Sequence, residues 1–404
     1  MAVLKNEIQE AIADAFADKI NQINEKILKQ IGAAIKQIGK LTPSQAYQLA
    51  QILKYGGSYE EIVKELAKMS GKSVQEVNNI FKKIATEDKN FAKQFYNYRK
   101  IDFIPLEQDT VMLKQINAIA QQTNEIFQNI SNTTGIGYVF KDINGRSVFR
   151  NIRQTYSDVI DRALIAVTQG KSTYQNEMRS IIKEIGNSGL VQYESGYRRR
   201  LDSAVRMNIM DGIRQLQNAI TEQFGKEYGA DGVEISVHEN PAPDHADIQG
   251  RQFSIEEYEK LESGQIAKDI NGTRYDGADK RQIGQYNCYH KEFRIVLGVS
   301  RPEYTDEQLR KIAMDNLKGF KFEGKHYTNY QGTQLQRKIE TAIRRQKDIN
   351  ILAKASGNDE LANQSEIKIR QLTQKYANLC RISGLKPKKQ RMSVPNYKRG
   401  SIKW

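Results

Sequence analysis

Val233-Glu234-Ile235-Ser236-Val237-His238 is where the chain changes its period. Val233, Ile235 and Val237 alternate with Glu234, Ser236 and His238, the two-residue repeat of a strand with one buried face, and His238 ends it on the polar side. Upstream the repeat is helical. Leu201, Val205, Ile209, Ile213, Leu216 and Ile220 form a buried helix stripe, while Arg198, Asp202 and Arg206 lie four apart on another face, placed to pair there. Downstream come Glu239-Asn240-Pro241-Ala242-Pro243-Asp244-His245 and, further on, Tyr286-Asn287-Cys288-Tyr289-His290. Together these segments hold three of the four histidines and one of the two cysteines.

In an extended segment residues two apart share a face, so Cys288 and His290 can bind one metal ion. His238 and His245 complete a Cys-His-His-His set suited to zinc, with Pro241 and Pro243 stiffening the connection between them. The same residues allow two other readings. One is a hydrogen-bond network with Asp244 and Asp247 and no metal, the blandest of the three. The other is a catalytic site in which Glu239 or Asp244 serves as base for metal-activated water. Nothing else in the chain supplies a nucleophile with a partnered base at recognisable spacing, so an enzyme is the minority reading.

Towards the N-terminus the pattern is helical. Ile8, Ile12, Phe16, Ile20, Ile23, Ile27, Ile31, Ile35 and Ile38 recur at three and four, one stripe along a helix of roughly 45 Å. Packing in a core is its first use and docking to a partner its second. Ser58 with Glu61 and Ser73 with Glu76 read as capping boxes, and Thr42-Pro43 as a helix start. Asp102 to Pro105 reads as a break and Thr133 to Arg146 as a loop or small hairpin, with helix resuming at Ser147 and running to about Phe224. Gly170-Lys171-Ser172-Thr173 invites a phosphate-loop reading, but the glycine five residues earlier is Ile165. Gly170 therefore ends one helix and Ser172 caps the next, with Gln175 at the third position.

Composition sets the bounds. The 404 residues are enough for two or three cores without disulfides, and Cys288 and Cys380 with no signal-type segment point to a reducing cytoplasm, where the Asn132-Thr133-Thr134 sequon is idle. No run approaches the roughly 18 apolar residues of a membrane span, so no membrane partner is expected. The net charge of +14 is concentrated at the end: Arg381, Lys386, Lys388, Lys389, Arg391, Lys398, Arg399 and Lys403 are unaccompanied by any acid. This segment is a solvated tail or a contact for phosphate or an acidic protein.

From about residue 190 to 394 the chain resembles the phage minor capsid proteins related to the Mu head morphogenesis protein, of minor capsid protein 2 type. The order is Arg206-Met207-Asn208, His238 to His245, Gln249-Gly250-Arg251 and Asn287-Cys288-Tyr289-His290. A helix with Tyr330, Gln334, Gln336, Arg337, Glu340, Arg344 and Lys347 follows, then Tyr376, Cys380, Gly384 and Arg391. The family's Gly-Ala-Arg between the two histidines is Asn240, Pro241 and Ala242 here, and its Gly-rich turn before Asn-Cys is only Gly284-Gln285-Tyr286.

The resemblance implies a minor structural protein of a tailed-phage head, made in the bacterial host cytoplasm and associated with the portal vertex. It further implies roles in head morphogenesis and DNA packaging or ejection, with the portal protein, scaffolding or major capsid protein, and packaged double-stranded DNA as partners. The alternatives are a metal-dependent hydrolase or nuclease carried in the virion, or a host-side nucleic-acid-binding protein. The expected fold is α+β and predominantly α-helical. It comprises a helical arm or bundle over 1–130, open to portal docking, a helical segment over 147–224, an α+β domain over 225–380 around the cluster, and a basic tail over 381–404.

Overall fold

The computed structural model describes residues 6–55, 58–99, 102–131, 135–141, 145–194, 197–286 and 288–398. The fold is predominantly helical with small antiparallel sheets, as expected. Four helices open the chain: α1 (Asn6–Ile38), α2 (Pro43–Tyr55), α3 (Ser58–Arg99) and α4 (Thr110–Ser131). The strands β1 (Ile136–Lys141) and β2 (Ser147–Asn151) form a hairpin, followed by α5 (Ile152–Thr168) and α6 (Lys171–Ser188). β3 (Val191–Glu194) and β4 (Tyr197–Arg200) complete a sheet of order β2-β1-β3-β4 and lead into α7 (Leu201–Tyr228).

The second half begins with β5 (Gly232–Ile235), β6 (Gln252–Ser254), α8 (Ile255–Glu262), β7 (Ile266–Lys268), β8 (Arg274–Asp276) and β9 (Glu292–Ile295). α9 (Asp306–Lys318), β10 (Phe320–Phe322), β11 (Lys325–Tyr327), α10 (Asn329–Ser356) and α11 (Asp359–Ser383) finish it. β5 lies between β6 and β9, antiparallel to both, while β7–β8 and β10–β11 are separate two-stranded pairs.

The stripe of α1 is buried from Phe16 to Ile38, with Ile12 partly covered and Ile8 exposed. Each such isoleucine contributes roughly 1.5–3 kcal/mol on burial. The helices that cover it are chiefly α7 and α10, so the largest apolar core draws on residues from Ala13 to Val394. Gly32 permits the contact with α10: a Cβ there would lie 2.4 Å from the Ala355 Cβ and 3.0 Å from its carbonyl carbon. A second core lies under the β6-β5-β9 sheet around Val233, Ile248, Phe253 and Tyr258, and a third joins α10 to α11 around Ile343 and Leu379.

Buried ion pairs cross the largest core. Arg200 donates to Asp348 at 3.0 Å and pairs with Asp202 at 3.2 Å, while Arg344 lies 2.9 Å from the same Asp202. Asn24 of α1 donates to Asp348 at 3.1 Å and accepts from the Tyr138 hydroxyl at 2.7 Å. Two guanidinium groups thus face two carboxylates, which satisfies charges that alone would cost several kcal/mol each to bury. Between Arg200 and Arg344, burial pushes the Asp202 carboxyl up but the two cations prevail and hold it well below the carboxylate range. Asp348, with one close arginine, is pushed up to about 6 by burial.

Several local expectations need correction. Ser73 begins no helix, because α3 runs through it; Leu66, Ser73, Val77, Phe81 and Ile84 share one buried stripe, and the Ser73 hydroxyl turns to the Met69 sulfur at 3.5 Å. α3 does begin at Ser58, though the side chains of Ser58 and Glu61 lie outside the described residues. Ser147 opens β2 rather than a helix; α5 starts at Ile152, capped by Asn151 and Gln154. Ser172 is already inside α6, whose N-cap is Gly170 at φ +107°, a conformation glycine supplies without a side-chain cap.

Arg198 belongs to β4, and its side chain lies outside the described residues. Asp202 and Arg206 are buried and reach other elements, Arg206 pairing with Asp14 of α1 at 2.5 Å. Their partners therefore lie on other elements rather than along one helix face. β5 is covered on both sides, since Glu234 is also buried, accepting from Gln252 at 2.6 Å and from the Glu303 amide at 3.1 Å. Among the described residues no helix is long and apolar enough to cross a membrane.

Candidate metal centre

Antiparallel pairing of β5 and β9 places whatever follows β5 beside whatever precedes β9. Ile235 sits opposite Glu292, and the pairing extends one step further, with the Ser236 amide donating to the Lys291 carbonyl at 2.9 Å. His238 and His245 follow β5 and Cys288 and His290 precede β9, so the four residues meet at one end of the sheet. A tight turn over Ala242 to Gly250 folds His245 back, closed by His245 N–H to Ala242 at 3.0 Å and by Gly250 N–H to Ile235 at 2.7 Å. Gly250 has φ +70°, and a Cβ there would meet Leu309 at 2.6 Å.

His245 Nδ1 lies 3.3 Å and His290 Nδ1 3.4 Å from Cys288 Sγ. All three residues are buried, and their ligand atoms lie within 4.8 Å of one another. His238 does not join them in the same way. Its ring packs 4.3 Å from the His290 ring, centroid to centroid, and its Nδ1 accepts from the Asn240 amide at 3.3 Å. The structure thus brings together three of the four residues named as candidate ligands and sets the fourth beside them.

The other ring nitrogens of His245 and His290 are engaged too. His245 Nε2 is 2.7 Å from the Arg281 carbonyl, and His290 Nε2 is 3.2 Å from Gln249 Oε1. Gln249 Oε1 also accepts from the His238 amide at 3.2 Å, which fixes its oxygen towards the site. Burial holds His238 at about 4 and keeps His245 and His290 below the ordinary imidazole range, while it pushes the Cys288 thiol up. Asp244, one base the sequence offers, is held bidentately by Arg281 at 2.6 and 3.1 Å, and Glu239 is exposed. Asp247 pairs with Lys280 at 2.8 Å.

Tyr289, between Cys288 and His290, points the other way. Its hydroxyl donates to Glu10 of α1, and the guanidinium of Arg214 stacks 4.7 Å over its ring. Arg214 is fully buried on α7, and its nitrogens have no hydrogen-bond partner among the described residues. Burial accordingly lowers its pKa. Nothing in the sequence set this arginine apart, because it lies next to Ile213 on a helix buried on several sides.

Asn208, Glu340 and Arg344, motif residues outside the cluster, are structural ties. Asn208 donates to the Thr123 carbonyl at 3.0 Å, and Glu340 accepts from the Tyr376 hydroxyl at 3.0 Å. Arg344 holds Asp202, and Arg337 is half-buried on α10. Asn287 lies outside the described residues. In the basic segment, Arg391 is buried against Glu10 and Lys388 also pairs with Glu10, so neither is a free cation. Lys386, Lys389 and Lys398 are exposed; Arg399 and Lys403 lie outside the described residues.

No curated protein and no solved structure gives a significant match to this chain. The family model for phage minor capsid protein 2 matches residues 4–380, nearly its whole length. The chain therefore belongs to the phage minor capsid protein 2 family and is a structural protein of the phage particle.

Proposed function

We propose that this protein acts at the portal vertex of a tailed-phage head, in head morphogenesis and in the packaging or ejection of DNA. The carrying observation is the family match over residues 4–380, which includes both the N-terminal helices and the sheet with its cluster. A core shared by α1, α7 and α10 supports a building block used whole rather than a flexible arm with a separate head. Since the α1 stripe is buried within that core, contacts with the portal, scaffolding or major capsid protein fall to other surfaces. The exposed Lys386, Lys389 and Lys398 support a sequence-independent contact with packaged double-stranded DNA.

The test is quantitative mass spectrometry of purified, nuclease-treated particles, with the abundance of this chain expressed relative to the portal protein. A few copies per portal ring are expected. Abundance in the lysate with absence from particles would overturn the assignment.

A further inference from the structure

Two buried imidazoles aim Nδ1 at one sulfur, and their remaining nitrogens settle where the protons are. His245 Nε2 faces the Arg281 carbonyl, which only accepts, so that nitrogen carries the N–H and Nδ1 is a bare lone pair. His290 Nε2 faces Gln249 Oε1, whose orientation the His238 amide fixes, so Nδ1 of His290 is bare as well. Cys288 has a single S–H proton. A thiol can satisfy one of the two lone pairs and must present its own lone pairs to the other. A cation at the centre satisfies all three atoms at once.

The distances agree with that solution. A tetrahedral centre with Zn–S of about 2.3 Å and Zn–N of about 2.0–2.1 Å has an S···N edge of about 3.5 Å. The observed edges are 3.3 and 3.4 Å. One thiolate with two imidazoles is a borderline-soft donor set that suits zinc better than magnesium or calcium. The outer contacts are those of a prepared site, in which a carbonyl and an amide oxygen take the far N–H of each imidazole ligand and hold its ring in place.

We propose that His245 Nδ1, Cys288 Sγ and His290 Nδ1 bind one zinc ion as its three protein ligands. His238 is not among them: its Nδ1 lone pair accepts from the Asn240 amide, which leaves the ring proton on Nε2, and its ligand atoms do not converge with those of the other three. The ion fastens the turn that follows β5 to the segment that precedes β9, and the thiol proton leaves to solvent as the metal–sulfur bond forms.

The full chain, produced in zinc-supplemented medium and purified without chelator, should contain about one zinc per molecule by plasma mass spectrometry. Cobalt(II) exchanged for the zinc should show an intense sulfur-to-metal charge-transfer band. Cys288→Ser, His245→Ala and His290→Ala should each lose at least nine-tenths of the metal, while His238→Ala, His326→Ala and Cys380→Ser retain it. If ligand variants fail to fold, the metal content and cobalt spectrum of the unaltered chain decide. A chain that takes up no zinc or cobalt and melts identically with and without chelator would overturn the site. Loss of the metal in His238→Ala would overturn the three-ligand assignment.

Discussion

Arg391 Nη2 lies 3.1 Å from Glu10 Oε1, and this ion pair fastens the basic C-terminal segment to the first helix. Lys388 brings a second cation to the same carboxylate and the Tyr289 hydroxyl a hydrogen bond, so one side chain gathers α1, the C-terminal segment and the loop of the cluster. Burial pushes the Glu10 carboxyl up, but Arg391 and Lys388 outweigh it and leave the group below the ordinary carboxylate range.

Glu10→Gln should therefore destabilise in a pH-dependent way. A lowered folded-state pKa contributes stability that is present above the unfolded value and lost as pH falls through the folded one. The expected loss is about 1–2 kcal/mol at pH 7, shrinking towards pH 3, read from urea midpoints of the variant against the parent. An equal loss at both pH values would remove the electrostatic account.

Glu262 gives the opposite sign. Burial pushes its carboxyl up to about 7, even though the Ile283 amide donates to it at 3.2 Å. Its contribution is thus fully present below the unfolded value and is lost as pH rises through about 7. Glu262→Gln keeps an acceptor for Ile283 and should stabilise by roughly 1–2 kcal/mol at pH 8, with almost no effect at pH 4.

Asp202→Ala leaves Arg200 and Arg344 short of a carboxylate in the core and should cost about 3–5 kcal/mol. Asp158→Ala, which breaks the half-exposed pair with Arg150, should cost no more than about 1 kcal/mol. Thermal melts of the two variants, compared directly, test whether burial rather than charge number sets the size of the effect.

Two glycines should respond with opposite signs. Gly32→Val drives a side chain into Ala355 and should destabilise by about 1–3 kcal/mol. Gly71→Ala, in α3 with nothing within 4 Å of the added methyl, should stabilise by about 0.5–1 kcal/mol through reduced chain entropy. Calorimetry of both variants would show whether close helix approach or helix propensity governs each site.

A triple change of Lys386, Lys389 and Lys398 to Ala should weaken duplex DNA binding uniformly across sequences. It should also flatten the dependence of log affinity on log salt by up to about 0.9 per lysine. These side chains are exposed, so melting should not change. An unaltered slope would locate DNA contact elsewhere on the surface.

The helical frame was legible because burial in α1 and α7 follows simple apolar periods, which a sequence displays openly. The meeting of His245, Cys288 and His290 was also legible, since few residues of those types exist to be gathered. Ser73 misled because a small polar residue in a buried stripe looks the same as a helix cap. The ties among Arg200, Asp202, Arg344 and Asp348 had no such signal: Asp202 was read as a partner of its own helix and Arg344 as a motif residue, but only the packing of α10 against α1 and α7 makes all four neighbours. His238 had the right chemistry, but a local hydrogen bond to Asn240 occupies its Nδ1.

The seating of α10 on α1 also bears on the order of events during synthesis. About 290 residues separate the end of α1 from the start of α10, so the isoleucine stripe leaves the ribosome long before one of the two helices that chiefly cover it exists. Contacts so distant in sequence form late and slowly. A copy terminated before α10 would lack part of that cover and display some of the apolar stripe for chaperones and proteases to find. Synthesis through α10 is thereby made visible on the surface of each molecule before any particle is built.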